Sequence, residues 1–162
     1  MAAPRTLDPS ALAHAIEAWG PAAWLRESLW AYPLLNALHI LGIAALLGGI
    51  AVLDFHLLRA REPVAPVARA AWPVAVAGVA LAVATGPLLF AVKATEYIAN
   101  PAFVWKFVLL TLALSNVALF HLSFPGVLAG TRPVTAGVRA VAALSLALWF
   151  ASLLAGRAIA FL

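Results

Sequence analysis

Residues 31–58 read AYPLLNALHILGIAALLGGIAVLDFHLL, and among these 28 positions Asp54 is the one side chain charged at neutral pH. A helix rises ~1.5 Å per residue, so about 20 such residues cross a ~30 Å hydrocarbon core. Working outward from this stretch, three further runs share its character, at about 71–92, 101–123 and 133–161. Pro33, Pro73, Pro101 and Pro133 stand at or near the four starts. A helix tolerates proline in its first turn, where the missing N–H leaves no bond unmade. Asn100 supplies an N-cap before Pro101, and Phe124-Pro125-Gly126 stops the third run. The expected fold is an all-α integral membrane four-helix bundle, spanning 31–162 and preceded by an amphipathic segment over 1–30.

Composition agrees. Hydrophobic residues make up 65% and charged residues 10% of the 162 positions, against roughly 45–50% and 25% in soluble domains. The chain has no Cys and a single Met at position 1, which removes disulfides, thiolate metal sites, iron–sulfur clusters, covalent c-type haem and a sulfur-based Cu(I) site. The formal charge of +4 comes from Lys and Arg lying mostly between apolar runs, where they set topology rather than bind nucleic acid.

Arg59, Arg61, Arg69 and Arg132 occupy the loops 59–70 and 124–132, whereas the loop 93–100 carries Lys93 alone. The positive-inside rule places the first two loops in the cytoplasm and both termini in the periplasm. Met1 to Ser10 makes a poor signal peptide, so the first span is expected to direct insertion. Asp8-Pro9 opens a helix with Leu12, Ile16 and Trp19 on one side, and Gly20-Pro21 breaks it ahead of Trp24, Leu25 and Trp30. Such a piece lies along a membrane interface or forms a short cap. The two halves, 31–92 and 101–161, pair faintly as helical hairpins without a convincing repeat.

Ionisable groups inside spans are costly and therefore informative. Counted from the span starts, His39 and Lys106 share an outer layer; Asp54, His56 and His121 share an inner one, with Arg139 entering nearby. Each has two readings. His39 and His121 either bond a neighbouring helix or ligate haem iron, and His56 either joins them as a ligand or faces the headgroups. Asp54 pairs with Arg139 or Arg132, or belongs to a proton path. Lys106 snorkels, neutralises a haem propionate, or binds an anion. His14, in the amphipathic segment, is a surface residue or an outer partner for His39. The small pairs Ala44/Gly48 and Ala45/Gly49 either pack against a helix or clear space for a macrocycle.

The stretches Trp30-Ala31-Tyr32-Pro33, His39 to Ala44, Leu53 to Leu58, Tyr97 to Lys106 and Asn116 to His121 resemble a family of small four-helix bacterial inner-membrane proteins of unassigned function. More distantly they are similar to b-type cytochrome and copper-resistance membrane domains. The resemblance covers most of 28–123 and implies that His39, Asp54, Lys106 and His121 match the family pattern, with His56 standing where Arg is expected.

Three functions follow. The first is electron transfer by haem b, held by His39, His121 or His56, with Lys106 beside it. The second is proton or ion translocation through His39, Lys106, Asp54 and His121, with Gly86-Pro87 interrupting the second helix to free carbonyls. The third is an accessory role in a larger membrane complex or a homo-oligomer. No nucleophile–base pair, phosphate loop or carboxylate dyad supports hydrolysis.

Overall fold

The computed structural model describes residues 8–161. The parts of the expected N- and C-terminal segments at 1–7 and 162 lie outside the described residues. Seven helices follow in order: α1 (Pro9–Glu17), α2 (Gly20–Glu27), α3 (Ala31–Leu58), α4 (Val64–Val92), α5 (Ala94–Ala99), α6 (Pro101–Ser123) and α7 (Ala136–Ala158). Of these, α3, α4, α6 and α7 are long and apolar enough to cross a membrane, and they form the expected bundle.

The starts follow from local chemistry. Asp8 caps α1 by accepting from the Ser10 amide, Asn100 caps α6 through the Ala102 amide, and Thr135 caps α7 through the Val138 amide. The fourth span thus begins at Ala136 rather than 133, because Pro133 lies ahead of that cap. The second span starts earlier than 71. Pro63 caps α4, and both Pro73 and Pro87 lie inside its 29 residues. Gly86-Pro87 therefore does not interrupt the helix. Each proline removes one backbone donor, so the carbonyls of Arg69 and Val83 lose their i+4 partner while the helix runs on. The break after α1 falls at Ala18 and Trp19, and Gly20-Pro21, expected to be the breaker, instead opens α2 with Pro21 in its first turn.

Two hairpins are built by different means. A Cβ on Gly42 would meet the Ala82 nitrogen at 2.9 Å, and one on Gly49 would meet the Ala71 oxygen at 2.7 Å. Glycines seven apart on α3 therefore let the α4 backbone approach closely, with Gly78 answering from α4. Gly48 faces open space, so the pairing of Ala44 with Gly48 is not a contact stripe, and the glycines that matter clear room for a helix rather than a macrocycle. Between α6 and α7, amide side chains do the joining: Asn100 Nδ2 donates to the Ile159 carbonyl at 3.1 Å and Asn116 Nδ2 to the Val141 carbonyl at 3.2 Å.

Around the bundle the order is α4, α3, α7, α6. No Cα of α4 comes within 8 Å of one of α6, and that last side is closed by side chains. Trp72 meets His121 with ring centroids 4.9 Å apart, and Phe90 stacks on Phe103 at 5.4 Å. The core has two clusters. One joins Leu53, Leu57, Ala68, Ala71, Phe120, Val138 and Ala142; the other joins Leu46, Ile50, Ala75, Ala113 and Trp149.

At the other end α1 and α2 dock on the α4–α5 junction. Arg26 donates to the Glu17 carbonyl at 2.8 Å and to the Val92 carbonyl at 3.2 Å. The Glu17 carboxylate accepts from the Thr95 amide at 2.8 Å and its hydroxyl at 2.7 Å. Those bonds hold the Glu17 carboxyl below its ordinary range, with the Thr95 hydroxyl the larger cause. Leu12, Trp19, Trp24 and Trp30 stay exposed, an apolar fringe of the kind that suits an interface.

Candidate functional site

The expected polar residues fall into two groups at opposite ends of the bundle. In the first, His39 is half-buried on α3 and faces α4. The Thr85 hydroxyl donates to the Leu81 carbonyl at 2.7 Å, and Thr85 Oγ1 lies 2.8 Å from His39 Nδ1. Since the hydroxyl proton is committed to Leu81, the imidazole must be the donor. His39 is thereby fixed as the Nδ1–H tautomer with a free Nε2 lone pair. Gly86 makes room for the ring, because a Cβ there would lie 3.3 Å from His39 Cε1. Lys106 runs its stem along Gly156 of α7, 3.6 Å from where a Cβ would be. His14 is exposed on α1.

The second group surrounds a partly open cavity of about 40 Å³, lined by residues of all four long helices, among them Asp54, Trp72, Asn116, His121 and Ser145. Asp54 and Asn116 are buried, 7% and 5% exposed, and Asp54 Oδ2 and Asn116 Oδ1 each have no hydrogen-bond partner among the described residues. The bond from Asn116 Nδ2 to Val141 fixes the amide orientation and leaves Oδ1 as the free end. Ser145, 5% exposed, adds a hydroxyl. His121 lines the cavity while remaining exposed; its Nδ1 lies 2.9 Å from the Val117 carbonyl, so Nδ1 carries the proton and Nε2 is free.

Asp54 does not form the expected ion pair. Arg139, in the first turn of α7, and Arg132, in the preceding loop, are both exposed. Among the described residues the ion pair is Lys93–Glu96, at 2.9 Å on the surface. A long flexible arginine reaches water more cheaply than it reaches an apolar interior. His56 is half-buried with an unpartnered Nε2 and does not line the cavity.

Taken singly, His39 and His121 suit a ligand role, since an anchored Nδ1–H leaves Nε2 available. A bis-imidazole haem needs two imidazoles at one level, however. His39 precedes His56 by 17 positions on one helix, about 25 Å at 1.5 Å per residue, and His121 shares its cavity with Leu53, Asp54 and Leu57 rather than with His39. A cavity of about 40 Å³ holds a few water-sized species and not a macrocycle. His39 and His121 therefore do not make a bis-imidazole pair. Among the described residues no three His, Asp or Glu side chains converge as a metal centre.

Thr85, Asn116 and Ser145 were not singled out as site residues by charge or spacing, yet they complete the two groups. Comparison with protein-family models, curated proteins and solved structures finds no match.

Proposed function

We propose that this chain is a small multi-pass protein of the bacterial inner membrane, with both termini in the periplasm, that passes protons or small cations between its two polar layers. The observation that carries the reading is Asp54: a buried carboxyl beside a mostly apolar cavity, in no ion pair among the described residues. A carboxyl in that position costs several kcal/mol unless it takes up a proton or a cation, and few structural roles reward such an expense. His121 links the cavity to the exposed end of the bundle. His39, with its free Nε2, and Lys106 form the corresponding layer at the far end.

Proteoliposomes enclosing a pH-sensitive dye test this under an imposed ion gradient. The wild-type protein is expected to dissipate the gradient; Asp54→Asn and His39→Ala are expected to abolish flux, and His121→Ala to slow it. Flux that is the same in all three variants as in the wild type refutes the reading.

A further inference from the structure

We infer that the seam between α4 and α6 seats an anionic phospholipid at the end of the bundle that carries the 59–63 and 124–135 connections, with Arg69 and Arg132 on its phosphate. The inference goes beyond the ion-carrying reading and does not depend on it.

Positive charge gathers at this end. Arg59, Arg61, Arg69, Arg132 and Arg139 are exposed there, with Glu62 the exposed acid beside them. Among the described residues none of these arginines is in an ion pair. Basic loops that only set topology work with lysine as well as arginine and require no particular arrangement. Two of the five are arranged. On α4, Ala65, Arg69 and Trp72 fall on one helical stripe, spaced four and three apart. Contacts fix both ends of that stripe: a Cβ on Gly130 would lie 3.4 Å from the Ala65 Cβ, and the Trp72 ring meets His121 of α6 at 4.9 Å. Arg69 therefore stands between them, at the seam where α6 runs into the 124–132 loop. The same loop brings Arg132, two positions past Gly130, with its Cγ 3.6 Å from where a Cβ on Gly126 would be. Arginine thus stands on both lips of one seam, and its planar donor fork suits a phosphate.

From the ring contact toward the middle of the bundle the seam is apolar and without backbone contact. Val76 and Val83 continue the α4 stripe past Trp72, and Leu114 and Ala118 line up with His121 on α6; all four are exposed. Trp72 to Val83 is 11 positions, about 16 Å of helix, or roughly half of a ~30 Å hydrocarbon core. One leaflet's acyl chain covers that distance, so a chain laid on the strip leaves its phosphate at the arginines. A zwitterionic headgroup would bring its own ammonium toward five arginines and one glutamate, whereas an anionic one brings only the charge they lack.

The test uses the full chain, purified in a neutral detergent and titrated with phosphatidylglycerol or phosphatidylcholine. Thermal unfolding is followed by the fluorescence of its six tryptophans. The expected result is a saturable rise in Tm with phosphatidylglycerol that phosphatidylcholine does not give. Arg69→Gln and Arg132→Gln are each expected to raise the half-saturating fraction of phosphatidylglycerol roughly fivefold. Arg61→Gln, the same loss of charge on the exposed α3–α4 turn, is expected to leave it nearly unchanged. Phosphatidylglycerol brominated on its acyl chains is expected to quench the tryptophan emission, and Trp72→Phe to remove part of that quenching. Equal Tm with the two lipids overturns the inference. An equal loss in all three arginine variants overturns it too, because the attraction is then a diffuse one. The same rise in Tm with inorganic phosphate at matched ionic strength would mark a site for free anions instead of lipid. Quenching that Trp72→Phe leaves whole would place the lipid away from the seam and likewise overturn the inference.

Discussion

His39 and His121 are both tethered by Nδ1, the first to a threonine whose own proton is spent on its helix, the second to a carbonyl one turn earlier. Tethering at Nδ1 predicts that nitrogen-15 NMR finds the Nδ1–H tautomer in the neutral form of each ring. Thr85→Val keeps the shape and removes the acceptor; it is expected to free the His39 tautomer and cost about 1 kcal/mol, read from Tm. The charged and imidazole members of the two layers were legible in the sequence, because Asp54, His39 and Lys106 stand out in apolar surroundings. Their partners were not. Thr85 and Ser145 are small, and such residues recur through membrane helices for packing alone. Asn116 sits five positions before His121, a signal visible in the sequence but without meaning until α6 is rotated against α3 and α7. Arg139 misled for the opposite reason: its charge marked it, while its length and place in the first turn of α7 let it turn outward.

At the level of single helices, α4 shows how far a sequence rule reaches. Prolines mark helix starts because the first turn loses nothing by them, and Pro101 and Pro33 obey. Pro73 and Pro87 do not, since a helix packed along its length against α3 survives the loss of two bonds. The count of four spans was therefore readable, and the start of the second was not. The α3–α4 contact makes a sharp contrast between neighbouring glycines. Gly42→Ala places a methyl group against backbone and is expected to destabilise the protein by about 1–3 kcal/mol. Gly48→Ala meets nothing and is expected to be neutral or to stabilise by up to ~1 kcal/mol. Unfolding in mixed micelles measures both, and equal effects would contradict the packing described.

For the molecule as a whole, α1 and α2 are bound to the bundle through Glu17 and Arg26. The Glu17 carboxyl is lowered by Thr95, so the docking it contributes is fully present above the ordinary glutamate range and is lost as pH falls through the lowered value. Limited proteolysis is expected to cut between α1 and α3 faster at low pH than at neutral pH. Glu17→Gln is expected to show the faster cutting at neutral pH and little further change on acidification. Unchanged protection in that variant would mean that the carboxylate does not hold the cap.

The seam between α4 and α6 has a mechanical meaning. A tube slit along its length resists bending nearly as well as a closed one, yet it yields readily to twist. Here the slit is bridged by rings in contact rather than by backbone, with Trp72 against His121 at one end and Phe90 against Phe103 at the other. Twisting the two hairpins against each other slides one edge of the slit along the other, with α3 and α7 acting as the uncut wall. Because Trp72 and His121 also line the cavity beside Asp54, torsion of the whole bundle changes the space around that carboxyl while both hairpins stay intact.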